Sequence, residues 1–226
     1  MTRLLALDSA TWWGGAALLE LADGSPRVVA EIGLRIEGSH ASKLLPAVDA
    51  LLASAGWPKS SLDAYAAVRG PGSFTGVRVA LGLMSGLALA AGRPCVGVGT
   101  LPAMAEAHGP AARPRVPLMD AGRGEVYGAC FDADGSPPVA MSAAWVGEAT
   151  LALREGPDVV VFGTGARTHA GVLREAGYAG PIGIAPSSVA AAAGRLAMAM
   201  IAAGTVVPGD LAPLYVRPSD AEVRHR

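Results

Sequence analysis

Short apolar runs separated by polar turns make up the first part of the chain, and this pattern predicts β-strands. The runs span residues 3–7, 14–21 and 27–34, and the polar turn 22–26 joins the last two. Strands joined by short turns pair in antiparallel fashion, so we expect a three-stranded meander.

The next segment repeats its apolar residues with a helical period. Leucines and valines recur three or four positions apart between Leu44 and Leu52, and Gly56 ends the run. Ser39 precedes this run and is predicted to cap the helix. The rest of the first half predicts a strand at 64–68, a long buried helix at 77–91, a strand at 95–98 and a short helix from residue 100.

The second half of the chain repeats this order of elements in a weaker form. Residues 116–120 end in an aspartate as residues 4–8 do, after a Gly-, Pro- and Ala-rich linker at 108–114. Further elements are predicted as strands at 125–131 and 159–162 and as helices at 147–154, 169–176 and 188–203. Two copies of strand–strand–strand–helix–strand–helix predict a duplicated RNase H-like or actin-like α/β fold, with mixed sheets flanked by helices. We predict lobes at 1–108 and 109–226, with the C-terminal segment packing back on the first.

Composition limits the classes of protein that this chain can represent. Of its 226 residues, 51% are hydrophobic and only 16% are charged, against roughly 25% in an average domain, which leaves apolar surface for another chain to cover. A net charge of −1 argues against a stand-alone nucleic-acid binder, which needs a basic excess. Cys95 and Cys130 lie in apolar runs, which is typical of a reducing compartment, and the early Asp8 argues against a signal peptide. We therefore expect a cytoplasmic protein without a membrane span.

Two aspartates at predicted strand ends are candidates for phosphate chemistry. Asp8, with Ser9 beside it, and its counterpart Asp120 lie where folds of this class hold Mg2+ and phosphate. The glycine-rich loop at 70–76 adds Gly72 and Ser73 in front of a helix whose free N–H groups suit an anion, although it lacks the lysine of a Walker loop. The alternative is structural: the aspartates bind turn amides, and the loop is a tight turn before a capped helix.

Small residues line one side of the two predicted helices of the first lobe. In the long helix they are spaced four apart, and each interior glycine costs a helix about 0.8–1 kcal/mol relative to alanine. Such strips let another backbone approach closely, so we predict an interface there. The alternative is that the sheet of this same chain covers them. The predicted interface residues are Ala47, Ala50, Ser54, Thr75, Gly76, Val79, Gly82, Leu83, Gly86 and Ala90.

Hydrolytic and metal chemistry find little support in the sequence. The four histidines, at positions 40, 108, 169 and 225, have no metal-ligand spacing, and neither cysteine is near them, so no metal site is predicted. The chain has no Gly-x-Ser-x-Gly elbow. A pairing of Ser73 with His40 as nucleophile and base would rest on proximity alone, and no catalytic residue is predicted.

Six segments, collinear from the beginning to the end of the chain, resemble the bacterial TsaB (YeaZ) family. They lie at 5–9, 39–40, 70–78, 96–101, 120–127 and 215–218. The most specific are the Gly-Pro-Gly-Ser-Phe-Thr-Gly-Val-Arg block at 70–78 and the Asp-Ala-Gly-Arg-Gly-Glu-Val-Tyr block at 120–127.

The resemblance implies a non-catalytic subunit of a tRNA-modifying complex. Family members have the two-lobed actin-like fold and pair with TsaD. With the ATPase TsaE, the pair transfers a threonylcarbamoyl group from threonylcarbamoyl-AMP to N6 of adenosine 37 in tRNAs that read ANN codons. The family pairing surface corresponds to residues 39–55 and 75–91 here, and it also forms homodimers of the lone subunit.

The resemblance also bears on cofactors and on RNA. TsaD carries a His-x-x-x-His metal motif at the positions that match 98–103, where this chain has no histidine. The resemblance therefore implies no intrinsic cofactor, ATP or ADP only at the interface of the complex, and tRNA contact only through the complex.

Two departures from the family pattern weaken any nucleotide chemistry on this chain. Asp-Ala-Gly-Arg at 120–123 replaces the commoner Asp-Ala-Arg-Arg, and Asp8-Ser9-Ala10 replaces Asp-Thr-Ser. Two other functions stay open at this point. One is a stand-alone nucleotide-binding ATPase or kinase of the same fold, for which 163–165 is a weak second phosphate loop. The other is a glycoprotease-like peptidase, against which the histidine spacing argues.

Overall fold

The computed structural model describes residues 2–36, 40–154, 156–206 and 211–217. Contacts within the chain group it into unit 1, Met1–Ala103 with Ser187–Leu214, and unit 2, Met104–Pro186 with Tyr215–Arg226. The elements are β1 (Thr2–Asp8), β2 (Trp13–Ala22), β3 (Ser25–Arg35), α1 (His40–Ala55), β4 (Ala64–Val68), α2 (Phe74–Ala91), β5 (Cys95–Val98), α3 (Thr100–His108), β6 (Arg115–Gly122), β7 (Glu125–Gly128), β8 (Trp145–Gly147), β9 (Val160–Phe162), α4 (Thr164–Thr168), α5 (Ala170–Glu175), β10 (Ile182–Gly183) and α6 (Ala190–Ala202).

A five-stranded mixed sheet forms the centre of unit 1. Its strand order is β3-β2-β1-β4-β5, with β1, β2 and β3 antiparallel, as the apolar runs predict, and β4 and β5 parallel to β1. The β2–β3 hairpin turns on Asp23 and Gly24, whose φ angles of 52° and 78° are those of a two-residue type I′ turn.

Helices flank this sheet. α1 and α2 contact each other and pack on β2 and β4, respectively, whereas α6 packs on β1 and β2. Gly194 of α6 lies so close to β2 that an added Cβ would come within 2.3 Å of the Leu19 side chain. Because side chains alternate along a strand, Leu18 points to the opposite face of the sheet. The segment 187–214, which contains α6, belongs to unit 1. The predicted helix cap Ser39 lies outside the described residues.

Unit 2 repeats the strand order of unit 1. β7 and β8 follow β6 in antiparallel fashion, while β9 and β10 are parallel to it, which gives the order β8-β7-β6-β9-β10. Each strand has its counterpart in β3-β2-β1-β4-β5, so the internal duplication and the two-lobed α/β fold predicted from the sequence are confirmed. Asp8 and Asp120 lie on the equivalent strands β1 and β6.

Several predictions of local structure in unit 2 were wrong. The strand predicted at 125–131 ends at Gly128, and the helix predicted at 147–154 is instead strand β8 followed by the 3-10 helix Ala149–Leu153. The helix predicted at 169–176 is confirmed as α5, but the short helix α4, which meets it at His169, was not predicted. β8 is too short to show the alternating pattern of a strand in its sequence. It forms a strand because it pairs with β7 and because the Trp145 ring covers Gly128.

A fully buried arginine ties together the start of unit 2. Arg115 Nε donates to Asp132 O at 2.8 Å, Nη1 donates to Ala105 O and Gly109 O at 3.1 and 2.9 Å, and Nη2 donates to Asp132 Oδ1 and Gly135 O at 3.0 and 2.8 Å. All five guanidinium donors therefore have acceptors, as a buried charge requires. The contacts join β6 to the end of α3 and to the loop that follows β7.

Arg115→Ala should lower the free energy of unfolding by about 3 kcal/mol or more, because it leaves buried carbonyl groups without a donor and removes the cation that pairs with the Asp132 carboxylate. Arg113→Ala is the matched control, since Arg113 is exposed and pairs with the exposed Asp158 at 2.8 Å, and it should change stability by about 0.5 kcal/mol or less. Urea denaturation of both variants measures this. Equal, small losses would show that the buried network contributes little.

Candidate functional site

An exposed apolar surface runs along α2. Only 6 of its 18 residues are buried, so the prediction of a buried helix was wrong for its outer side. Leu89 is 85% exposed and Phe74 is 43% exposed. Gly82, Gly86 and Ala90 are also exposed. The helix is long and apolar enough to cross a membrane by composition, a test that core helices of soluble proteins also pass.

The glycines of α2 face open space. A Cβ added at Gly82 or at Gly86 would meet no atom within 4 Å. The alternative that this chain's own sheet covers the two glycines is therefore wrong. What remains is a shallow track, without side chains at Gly82 and Gly86, to which a neighbouring backbone could approach closely.

Local sequence sets the ends and the orientation of α2. Ser73 Oγ accepts a hydrogen bond from Gly76 N at 3.2 Å and caps the first turn, and Gly92 ends the helix in the left-handed region with φ 63°. The residues that face the sheet are spaced three or four apart: Val77, Ala80, Leu81, Met84 and Ala88. Burial of this side leaves the glycine track on the other.

The predicted strip on α1 is only partly at the surface. Ala50 and Ser54 are exposed, whereas Ala47 is 5% exposed and belongs to the core, so it does not lie on an exposed strip. Gly76 of α2 is also buried. The interface prediction itself stays a prediction, and the residues that present surface to a partner are Ala50, Ser54, Thr75, Gly82, Gly86 and Ala90, with Val79 and Leu83 half-buried.

Asp8 is engaged within unit 1. Its side chain is 3% exposed; Oδ1 accepts from Ala10 N at 3.0 Å, and Oδ2 accepts from Val189 N at 3.1 Å. Burial raises the pKa of Asp8 to about 6, the two amides oppose this, and the charge of Glu31 adds to the rise. Glu31 Oε1 in turn accepts from Ala191 N at 3.3 Å. The two acidic side chains thus bind amides at the start of α6, which is the structural alternative given above.

The glycine loop before α2 is shaped by close backbone packing. A Cβ at Gly72 would lie 2.3 Å from Ala10 O, and Ser73 N donates to the same oxygen at 2.7 Å. Gly70 O accepts from Thr100 N at 2.8 Å. The loop therefore holds β1, α2 and α3 together. Gly72 and Ser73 take part in these contacts, and Ser9 is buried. A Mg2+–phosphate group does not fit the Asp8 carboxylate, which is buried and already hydrogen-bonded to two amides.

Asp120, the counterpart of Asp8 in unit 2, is more exposed than Asp8. Asp120 is exposed; its Oδ1 accepts from Gly122 N at 2.7 Å, and its own N–H donates to Thr164 Oγ1 at 3.2 Å. Gly163 and Gly165 at the start of α4 pack against the backbone of β6, where added Cβ atoms would come within 2.3 Å of Leu118 O and 2.8 Å of Met119 C. The 163–165 segment is therefore a packing contact that brings α4 onto β6.

Neither a reactive thiol nor a metal-binding cluster is found among the described residues. Burial raises the pKa of the Cys95 thiol to about 11, and Cys130 is buried, so both are poor nucleophiles. Within the described parts of the chain, no group of three or more His, Cys, Asp or Glu side chains could hold a metal ion.

Asp8→Asn should change how stability depends on pH. The pKa of Asp8 is raised from 3.8 to about 6 in the folded chain, so the folded state binds the proton more tightly. Its contribution to stability is present below about pH 4 and is lost as the pH rises through about 6. Asparagine does not titrate, so the stability deficit of the variant should be larger at about pH 5 than at about pH 7.5, by about 1 kcal/mol.

Urea denaturation at the two pH values measures the deficit. Asp49→Asn, which removes an exposed acid paired with Lys59, is the matched control. A deficit of Asp8→Asn that is the same at both pH values would contradict the raised pKa.

Several known proteins are similar to this chain in sequence. A family model described as "TsaD: tRNA N6-adenosine threonylcarbamoyltransferase" matches residues 35–137. The Escherichia coli "tRNA threonylcarbamoyladenosine biosynthesis protein TsaB" is 37% identical over 160 residues, which is 70% of this chain and 64% of that protein. The chain spans about half to two thirds of the length of the curated relatives that it matches.

Two solved structures from Pseudomonas aeruginosa match nearly the whole fold. One is described as an uncharacterized protein with similarity to peptidase YEAZ; it is 31% identical, has a TM-score of 0.78 and covers 96% of this chain and 100% of its own. The other, YeaZ, is 30% identical with a TM-score of 0.76, over 95% of this chain and 100% of its own. Identity at this level over both units, together with the sequence blocks at 70–78 and 120–127, means that the chain belongs to the TsaB (YeaZ) family.

Proposed function

We propose that this chain is the non-catalytic subunit that pairs with a TsaD-type transferase in the biosynthesis of threonylcarbamoyladenosine in tRNA. The names of the relatives support the pathway, and the family model that matches residues 35–137 is described as the transferase itself. The observation that carries the pairing is the open glycine track on α2, flanked by the exposed Leu89. An apolar helix face of this kind gains free energy when a second helix covers it.

The chemistry of unit 1 supports a scaffold rather than a catalyst. Asp8 is 3% exposed and both of its oxygens accept backbone N–H groups, and Ser73 Oγ caps α2, so both side chains already stabilise the fold of unit 1. A stand-alone ATPase or kinase would need these groups for Mg2+ and phosphate. We therefore assign the transfer of the threonylcarbamoyl group, from threonylcarbamoyl-AMP to N6 of adenosine 37, to the partner.

We propose the rest of the complex from the family resemblance. In the proposed cytoplasmic complex, TsaE joins the pair, ATP or ADP binds at the joint between proteins, and tRNAs that read ANN codons are the substrate. When the partner is absent, the same α1 and α2 surface is proposed to form a homodimer. Both assemblies use the glycine track, so they compete with each other.

Gly86→Leu should abolish pairing with the transferase and leave this chain folded. A Cβ at this position meets no atom within 4 Å and leucine has a higher helix propensity than glycine, but the new side chain fills the track that the partner needs. Size-exclusion chromatography of the mixed proteins measures co-elution, and urea denaturation measures the fold. Gly171→Leu is the matched control, since Gly171 is also helical with open space but lies on α5 of unit 2. Unchanged co-elution of Gly86→Leu would exclude the track as the pairing surface.

Omission of this chain should reduce tRNA modification to background in a reaction that contains the transferase, TsaE, ATP, threonylcarbamoyl-AMP and tRNA. This chain alone should form no product. Incorporation of labelled threonylcarbamoyl into tRNA is the measurement, and Gly86→Leu should behave like the omission. Undiminished turnover without the chain would refute the proposed function.

A further inference from the structure

The glycine loop before α2 is also held by the last residue of unit 1. Leu214 N donates to Arg69 O at 2.7 Å, and a Cβ added at Gly70 would lie 2.8 Å from Leu214 O. The two backbones therefore pack directly against each other. Leu214 is 37% exposed and belongs to the segment 211–217, which forms neither helix nor strand. Contacts of this kind open at a lower free-energy cost than those of the core.

Two further hydrogen bonds hold this loop, and both lie in the interior of unit 1. Thr100 N donates to Gly70 O at 2.8 Å, and Ser73 N donates to Ala10 O at 2.7 Å. Thr100 and Ala10 are each 1% exposed. Of these three contacts, the one made by Leu214 is at the surface, so it is the contact that can be lost while the core stays intact.

Glycine makes the conformation of the loop dependent on such contacts. Gly70 has a φ of 105°, which other residues rarely adopt, and glycine loses more conformational freedom on folding than any other residue. The loop leads directly to Ser73, whose side-chain and carbonyl oxygens accept from Gly76 N at 3.2 Å and from Val77 N at 2.9 Å. A shift of the loop therefore moves the cap and the first turn of α2.

The first turn of α2 presents two residues at the surface. Phe74 and Thr75 are exposed, and they precede Val77, the first buried side chain of the helix. Burial holds α2 from Val77 onwards, so the positions of Phe74 and Thr75 depend on the loop instead. Thr75 belongs to the predicted interface, and Phe74 extends the exposed apolar side of α2.

We propose that Leu214 is a positioning residue for pairing: its N–H holds the glycine loop, and the loop sets the positions of Phe74 and Thr75 against the partner. That this partner is the transferase rests on the proposed function. One hydrogen bond changes an equilibrium constant by roughly three- to tenfold, so the contact adjusts the affinity of the pair, whereas the glycine track makes pairing possible.

Leu214→Pro and Leu214→Ala separate the N–H group from the side chain. Proline removes the donor, and alanine keeps it and only shortens the side chain. In the full-length chain, Leu214→Pro should raise the Kd for the transferase by roughly three- to tenfold, because one hydrogen bond is lost. Leu214→Ala should pair as the unmodified chain does. Biolayer interferometry measures the Kd.

Hydrogen exchange of the lone chain tests the first turn without the partner. Leu214→Pro should speed the exchange of the Ser73, Gly76 and Val77 amides by roughly threefold or more. The Leu173 amide, which donates to His169 O at 3.1 Å in unit 2, should keep its rate. General destabilisation of the chain would instead speed the exchange of all four amides.

A backbone ester is the second variant, because proline also restricts φ. Replacement of Leu214 by its α-hydroxy acid, through ligation of a synthetic C-terminal peptide, removes the same N–H group without the proline ring. The ester should match the expected result for Leu214→Pro in both measurements. It therefore decides the test if the proline variant does not fold.

Three results would overturn the proposal. These are an unchanged Kd and unchanged exchange in the ester, an equal loss of affinity in Leu214→Ala, and faster exchange of the first turn with an unchanged Kd, which would place that turn outside the pairing surface. If the unmodified chain does not pair with the transferase, the proposed function fails, and hydrogen exchange alone decides whether Leu214 holds the first turn.

Discussion

Unit 1 depends on the hydrogen bonds by which two acidic side chains hold the start of α6 against the sheet. Asp8 of β1 accepts from Val189 N, and Glu31 of β3 accepts from Ala191 N, across 181 and 160 positions of sequence. Ser188 Oγ accepts from Ala190 N at 3.1 Å, so three successive amides at this helix start have side-chain partners. Without these acceptors, the N–H groups at the start of α6 would lack hydrogen-bond partners, which is costly where they are buried. The last helix of the chain is thereby fixed onto the first strands, and the hydrophobic core between Leu19 and Gly194 closes.

The same hydrogen bonds decide where function can lie. A strand-end aspartate that is 3% exposed and accepts two amides is covered from solvent, so a metal–phosphate group does not reach it without a rearrangement at the start of α6. The glycine loop also has a structural role, because Gly72 packs against Ala10 O and Ser73 caps α2. Unit 1 thus keeps the arrangement of a phosphate-binding lobe and uses its polar groups for structure. One exposed feature of unit 1 that suits a macromolecular partner is the glycine track of α2.

Unit 2 has the same strand order but a different anchor. The buried Arg115 takes five acceptors near the start of β6, while Asp120 near its end is exposed and binds only the turn amide of Gly122. Duplication therefore preserved the topology of the sheet, and the polar groups that stabilise each copy are different. Only the strand order, which follows from backbone pairing and from the direction of chain turns, is common to both.

The sequence by itself determined the strands of unit 1, the long helices, the duplicated α/β fold and the family, because apolar period, caps and the 70–78 and 120–127 blocks are local properties of neighbouring residues. Only the tertiary structure decided that Ala47 and Gly76 are buried, that β8 is a strand, and that Asp8 bonds Val189 instead of a phosphate. It also showed that Gly82 and Gly86 face open space. Those outcomes depend on contacts between residues far apart in the chain, which no local pattern encodes.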